Sequence, residues 1–88
     1  MSREKISGRT LLQAEREMHD HVIKVLERHG WGSFASRHEV YGVLMEEVRE
    51  FERTIEKGNL EEISYELKDI AQVCVFALAC IREAGLEW

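Results

Sequence analysis

Residues 58–81 read GNLEEISYELKDIAQVCVFALACI, and this stretch decides the fold. From Ile70 to Ile81 every residue except Gln72 is apolar. The run is shorter than the ~18 residues that a membrane-spanning helix needs, so it predicts a helix buried within protein. The Gly58-Asn59 pair before it predicts a tight turn, in which the Asn59 side chain caps the following helix.

The rest of the chain carries the same helical signals. It contains no proline, the residue that ordinarily interrupts helices. Gly30, Gly58 and Gly85 each follow a basic residue by one to three positions, and we expect each to adopt the left-handed conformation just beyond a helix end. Ser36 and Glu39 fit a capping box at the start of a helix. We therefore predict one all-α domain over residues 1–88, with helices at 8–29, 37–57 and 60–84.

The composition excludes several classes of protein. With 44% apolar and 33% charged residues, the chain is too hydrophobic for disorder and too charged for a membrane protein. Its 12 Lys and Arg against 17 Asp and Glu give a net charge of −5, which disfavours nucleic-acid binding. The N-terminus leads into no apolar signal segment, and Cys74 and Cys80 lie in the apolar run as expected core residues. We expect a cytoplasmic protein that binds neither nucleic acid nor membranes.

The third helix is predicted to have two apolar faces, which are more than three short helices can cover. An uncovered apolar face of that size is an association surface, so we expect a homodimer or homotetramer that completes a four-helix-type core. One face comprises Ile63, Leu67, Ile70, Cys74, Ala77, Leu78 and Ile81, and the other comprises Val73, Phe76 and Cys80.

Four carboxylates border these apolar surfaces. Glu47 and Glu50 lie at the edge of the apolar stripe of the second helix, and Glu66 and Asp69 lie on the second apolar face of the third. A single glutamate on a helix is ordinarily solvated, but four at an apolar boundary require a counter-charge. On a helical wheel Arg49, Arg53 and Lys68 point elsewhere, so a metal ion could supply that counter-charge. Oxygen ligands without His or Cys suit Mg²⁺ or Mn²⁺.

The two acidic pairs also carry a resemblance to a known family. Glu47-Val48-Arg49-Glu50, then residues 51–65, then Glu66-Leu67-Lys68-Asp69 resembles the ExxE…ExxD signature of the MazG-like, all-α nucleoside triphosphate pyrophosphohydrolases. The similarity extends over residues 10–82. It implies that Glu47, Glu50, Glu66 and Asp69 bind Mg²⁺, or Mn²⁺. The expected reaction converts a ribo- or deoxyribonucleoside triphosphate to the monophosphate and pyrophosphate.

The resemblance implies further roles around the metal. Glu46, or Glu47 itself, is the candidate for orienting or deprotonating the attacking water. Many family members hold the phosphates with a fourth helix, which this sequence lacks before it ends at Trp88. Phosphate contacts are then expected from a second subunit or from Lys57, Lys68 and Arg82. Trp31, with Phe34, could stack on a base, although anchoring the loop to the core is the favoured interpretation.

Two alternatives from other functional classes stay open. The chain could be a non-catalytic helical oligomerisation or adaptor module that keeps the acidic face, or a metal-dependent nucleotide binder without turnover. His19 and His21 are two residues apart and so cannot share a ligand on one helix face. We interpret both as helix-surface residues, and His38 as part of a capping turn.

Overall fold

The computed structural model describes residues 2–86, which fold into helices α1 (Gly8–His29), α2 (Arg37–Lys57) and α3 (Leu60–Glu83). The described residues contain no strand, and the predicted all-α class is confirmed. The helix bounds agree with those predicted except that α3 ends one residue earlier. None of these helices has an apolar stretch of the length required to cross a bilayer.

Side chains cap the N-terminus of every helix. The Ser36 hydroxyl accepts a hydrogen bond from the Glu39 backbone N–H at 3.1 Å, and Asn59 Oδ1 accepts one from the Glu62 N–H at 2.9 Å. Both predicted caps are thus confirmed, although the Glu39 carboxylate reaches back to the Ala35 N–H, at 2.7 Å, rather than to that of Ser36. The Ser7 cap of α1 was not predicted; its hydroxyl accepts from the Thr10 N–H. These bonds satisfy donors that a helix end leaves unpaired.

The three helix-ending glycines serve two different purposes. Gly30 and Gly85 have positive φ values of 98° and 73°, which glycine adopts readily. The ψ of Gly30 is 164°, so this residue is extended rather than in the predicted left-handed helical conformation. Gly58 has a φ of −81°, so the prediction of a left-handed residue there is wrong. Glycine is needed at this turn because a side chain would collide with Thr54. A Cβ at Gly58 would lie 2.6 Å from Thr54 Cγ2 and 2.7 Å from the Thr54 carbonyl oxygen.

Helix α3 is the centre of the fold. It pairs with α2 through the short turn at residues 58–59 and also packs against α1, whereas α1 and α2 make no close backbone approach to each other. The buried side chains lie mainly between α1 and α3. They are Val22, Leu26, Val73, Ala77 and Cys80. Helices α1 and α2 are therefore separated by a cleft whose floor is α3.

The opposite face of α3 is uncovered in the single chain. Leu67, Leu78 and Ile81 are 50%, 62% and 56% exposed, respectively. Cys80 is buried as predicted, but Cys74 is exposed, so the interpretation of both cysteines as core residues is wrong for Cys74. It lies on this outer face, where no other element of the described chain packs. Of the two predicted apolar faces of α3, the one with Val73 and Cys80 contributes to the core. The other remains largely open, although its Ala77 is buried.

Candidate metal centre

The four predicted carboxylates converge where α2 and α3 pair. Glu47 and Glu50 occupy successive turns of α2, and Glu66 and Asp69 occupy successive turns of α3. One carboxylate oxygen from each residue lies within 4.8 Å of the corresponding oxygens of the other three. The short turn brings these two i,i+3 pairs to the same level of the hairpin, so residues distant in sequence form a single acidic cluster.

Two oxygens of this cluster are buried without a partner. Glu47 Oε2 and Glu66 Oε2 are inaccessible to solvent and accept no hydrogen bond from the described residues. Glu47, Glu66 and Asp69 are half-buried, whereas Glu50 is exposed. A buried carboxylate oxygen with no donor loses its hydration without compensation, at a cost of about 1–3 kcal/mol. The cluster therefore lacks a positively charged or hydrogen-donating group at its centre.

The pKa values of the cluster reflect the absence, among the described residues, of a positively charged group at its centre. Burial raises the pKa of Glu47 to about 7, with further contributions from the charges of Glu50, Asp69 and Glu66 and from a hydrogen bond with Glu50. Burial also raises the pKa of Glu66, and the negative charges of Asp69 and Glu50 raise it further by smaller amounts. Because both carboxyls bind protons more tightly than usual, each would gain from a cation placed among them.

Nearby basic side chains compensate this charge only in part. Arg53 lowers the pKa of Glu66, so the prediction that Arg53 points away from the cluster is wrong to that extent. Its effect is smaller than the raising effects of burial and the acidic neighbours. Lys68 does turn away, as predicted, and lies 3.6 Å from Glu17 of α1. The all-oxygen donor set and the unpartnered buried oxygens fit a hard divalent cation such as Mg²⁺.

His21 of α1 is a site residue that the sequence reasoning missed. Its Nε2 lies 2.9 Å from Asp69 Oδ1, and its side chain is only 12% exposed. The ring also packs edge-on against Tyr65 with centroids 5.7 Å apart. The surface interpretation is therefore wrong for His21, whereas His19 is exposed. The flanking Met18 and Val25, three residues before and four after, place His21 beside the apolar stripe and could have identified it.

A cavity of about 640 Å³ adjoins the cluster and occupies the cleft between α1 and α2. Glu47 and Asp69 form part of its wall, and α1 supplies the opposite side. Phe34 and Phe76 also line it and contact each other edge-on, with centroids 5.5 Å apart. Phe34 thus joins the interhelical loop to α3, the anchoring role that was favoured for the loop aromatics. The acidic cluster consequently opens onto a space large enough for a small organic ligand.

The structure places the other predicted site residues outside this cavity. Glu46 is exposed and is not among the converging carboxylates. Trp31 is 61% exposed in the loop and does not line the cavity. Neither do the three basic residues predicted to hold phosphates. Lys57 ends α2, Arg82 lies in the last turn of α3, and Lys68 faces a second, separate cavity near the start of α3.

What the cluster and the cavity can do chemically follows from their own residues. A group of four carboxylates can hold one hard cation, and a cation held there would lie at the edge of the cavity, beside Glu47 and Asp69. Comparison of the chain with protein-family models, with curated proteins and with solved structures gives no match in any of the three.

Proposed function

We propose that the protein is a Mg²⁺-dependent nucleoside triphosphate pyrophosphohydrolase. It would cleave a ribo- or deoxyribonucleoside triphosphate between the α- and β-phosphates to give the monophosphate and pyrophosphate. The observation that carries the proposal is the convergence of Glu47, Glu50, Glu66 and Asp69 at the edge of a cavity of about 640 Å³. The sequence resemblance to the MazG-like family points to the same reaction.

The four carboxylates would hold Mg²⁺, with Mn²⁺ as the alternative ion. A divalent cation bound there would neutralise charge on phosphate oxygens and acidify a water molecule. The chain itself supplies the orientation of the ligands. His21 Nε2–H donates to Asp69 Oδ1 at 2.9 Å, and Tyr65 packs against the imidazole ring. A ligand carboxylate held by an outer histidine in this way keeps its direction when the ion leaves.

Two residues are candidates to accept the proton of the attacking water. Glu47 is the first candidate. Its pKa is raised to about 7 in the metal-free cluster, and a bound cation would lower that pKa, so Glu47 would be ionised at neutral pH. Glu46 is exposed and outside the ligand set, so its carboxylate stays available while the cluster is occupied. The Glu46→Gln variant separates the two possibilities. A large fall in the rate with unchanged metal binding would assign proton transfer to Glu46.

The protein is also proposed to act as a homodimer or homotetramer. The outer face of α3 exposes Leu67, Leu78 and Ile81, each by at least half. Apolar side chains contiguous on one helix face are stabilised by a partner surface. The same face supports the second candidate function, a non-catalytic oligomerisation or adaptor module. Self-association alone does not separate the two functions; turnover does.

A pyrophosphate-release assay with Mg²⁺ over the common ribo- and deoxyribonucleoside triphosphates tests the proposal. The wild type should release monophosphate and pyrophosphate in equal amounts from at least one nucleotide. The double variant Glu50→Gln, Asp69→Asn should lose this activity by about 100-fold or more, because it removes two of the four ligand charges. The control Glu52→Gln, Glu56→Gln changes two exposed glutamates of the same hairpin and should retain it.

Each negative result has a defined meaning. Metal and nucleotide binding without pyrophosphate release would leave a nucleotide binder. An absence of metal binding in the folded wild type would contradict the enzymatic proposal and favour the adaptor module. Equal losses in the two double variants would show that activity depends on general surface charge rather than on the cluster.

A further inference from the structure

The cleft between α1 and α2 has walls of opposite charge. Glu47 and Asp69 line one side of its cavity, and Lys24 and Arg28 of α1 line the other. Neither of these basic side chains was predicted from the sequence as a site residue. Their position opposite the acidic cluster gives the cavity both a cation-binding end and an anion-binding wall.

The two cations form a row that begins at the acidic cluster. His21, Lys24 and Arg28 are spaced i, i+3 and i+7, so they share one face of α1. His21 fixes the start of the row by its contact with Asp69. At a rise of about 1.5 Å per residue, Lys24 lies about 4.5 Å and Arg28 about 10 Å further along the helix axis. The row therefore leads away from the metal ligands along the cavity.

Neither cation is paired with another side chain of the described residues. Within residues 2–86, Lys24 and Arg28 have no ion-pair or hydrogen-bond partner, whereas Lys68 on α3 is paired with Glu17. Arg28 lies in the last turn of α1 and interacts favourably with the helix dipole there. That effect does not extend to Lys24, which is more than a turn from the helix end. An unpaired lysine and arginine facing a cavity are suited to an anionic ligand.

We propose that Lys24 and Arg28 bind the β- and γ-phosphates of the nucleoside triphosphate, the two groups that leave as pyrophosphate. This inference rests on the proposed function, because it places the α-phosphate at the carboxylate cluster. The triphosphate then extends along α1 with its outer phosphates beside the two cations. Helix α1 would supply the phosphate contacts, and these would not require Lys57, Lys68 or Arg82, none of which lines the cavity.

Calorimetric titration with an α,β-methylene nucleoside triphosphate and Mg²⁺ tests the assignment, since this analogue cannot be cleaved at the bond in question. The variant Lys24→Gln, Arg28→Gln should bind it at least about 100-fold more weakly than the wild type, because removing each charged hydrogen-bond donor to a phosphate should weaken binding about tenfold. The control Arg9→Gln, Arg16→Gln removes the same charge from exposed positions of α1 outside the cavity. It should bind as the wild type does.

Two further titrations separate the possible outcomes. Mn²⁺ binding to the protein without nucleotide should be undiminished in Lys24→Gln, Arg28→Gln, and nucleoside monophosphate binding should be unchanged. Equal analogue affinity in the variant and the control would overturn the inference while leaving the metal site and the hydrolase proposal intact. An equal loss for the monophosphate would overturn the assignment to the outer phosphates. Failure of the wild type to bind Mn²⁺ would overturn the proposed function and this inference with it.

Discussion

The two faces of α3 invert the usual relation between polarity and burial. On the inner face, Glu66 and Asp69 are half-buried carboxyl side chains, about two turns and one turn before the buried Val73. On the outer face, Leu67, Leu78 and Ile81 are apolar and at least half exposed. Globular proteins ordinarily place these two kinds of residue the other way round.

This inversion shows that the single chain leaves each face of α3 without the partner that would stabilise it. The inner face contributes Glu66 and Asp69 to a cluster that Glu47 and Glu50 of α2 complete, and two oxygens of this cluster are buried without a partner. Binding of a cation there would therefore stabilise the protein. The outer face has apolar side chains with nothing packed on them, so covering it with another surface would lower the free energy of the protein. Stabilisation of the inner face by a cation depends on charge, so it is sensitive to pH and to the metal concentration. Stabilisation of the outer face by a covering surface depends on apolar area and is sensitive to protein concentration.

The largest expected effect comes from a charge on the outer face. Leu78→Glu should convert the proposed homodimer or homotetramer to monomers at micromolar concentration, because it would place an unpaired charge in the proposed apolar interface. The same change at Ile6, which is 72% exposed and lies outside α3, should leave the assembly intact. Sedimentation measures both. A wild type that sediments as a folded monomer would contradict the assembly itself.

Phe76 provides a contrasting site on the same helix. Its half-buried ring contacts Phe34 at the wall of the cavity, so Phe76→Glu should unfold the chain rather than only dissociate the proposed assembly. The cost should be several kcal/mol, since the substitution removes a large apolar contact and buries a charge. Circular dichroism distinguishes the outcomes. Retained helicity in Phe76→Glu would show that the inner face of α3 tolerates a charged substitution without unfolding, which we expect only of the outer face.

The next largest expected effect is the stabilisation of the folded protein by a metal ion bound at the acidic cluster. Mg²⁺ at 100 times its dissociation constant should add about 2.7 kcal/mol to the free energy of unfolding. Melting curves with and without Mg²⁺ should differ for the wild type and coincide for Glu50→Gln, Asp69→Asn. Equal shifts in the two proteins would place the stabilising ion elsewhere on the surface.

Replacing Glu47 should separate activity from stability. Glu47→Gln should lose activity by orders of magnitude but, without metal and at pH 8, gain about 2 kcal/mol in the free energy of unfolding. This is less than a full shift of the pKa from 4.5 to about 7 would give, because the side chain is partly exposed to solvent. The exposed Glu56→Gln should change stability by less than about 0.5 kcal/mol.

The pH dependence follows from the same raised pKa. A group that holds its proton more tightly in the folded state stabilises the fold below its unfolded pKa and loses that contribution as the pH rises through its folded value. The metal-free wild type should therefore lose stability from Glu47 between pH 4.5 and about 7. Glu47→Gln should lack this part of the dependence. Identical pH profiles would show that Glu47 is an ordinary solvated carboxylate.

The smallest effect concerns the histidine beside Asp69. His21→Phe keeps an aromatic ring against Tyr65 but removes the hydrogen bond to Asp69. We expect Mn²⁺ binding to weaken by about tenfold, because the carboxylate is no longer oriented. His19→Phe changes an exposed histidine of the same helix and should leave Mn²⁺ affinity unchanged. A calorimetric titration of the two variants compares them directly.

The parts of this molecule that the sequence predicts are those governed by local interactions. Caps at Ser36 and Asn59 and the spacing within each acidic pair depend on residues at most four apart. The short turn at residues 58–59 then brings the two pairs together, so both the helices and the carboxylate cluster could be predicted from the sequence. The His21–Asp69 contact joins residues 48 positions apart, and the cationic wall depends on where α1 docks. A helical wheel gives the face of one helix but not the neighbour it meets, which is why Lys24 and Arg28 were missed. Gly58 was misread because a steric contact with Thr54, rather than a left-handed φ, requires glycine there.

The lack of close contact between α1 and α2 has a consequence for the order of folding. Contacts between α2 and α3 are local in sequence, since only residues 58–59 separate these helices, whereas α1 meets α3 across the length of α2. Short loops close fastest, so we expect the α2–α3 hairpin to form before α1 docks. All four carboxylates belong to that hairpin, and the cationic wall arrives later with α1. The acidic cluster would thus exist transiently on its own, and a divalent ion present during folding could bind to the nascent hairpin before any cleft has formed around it.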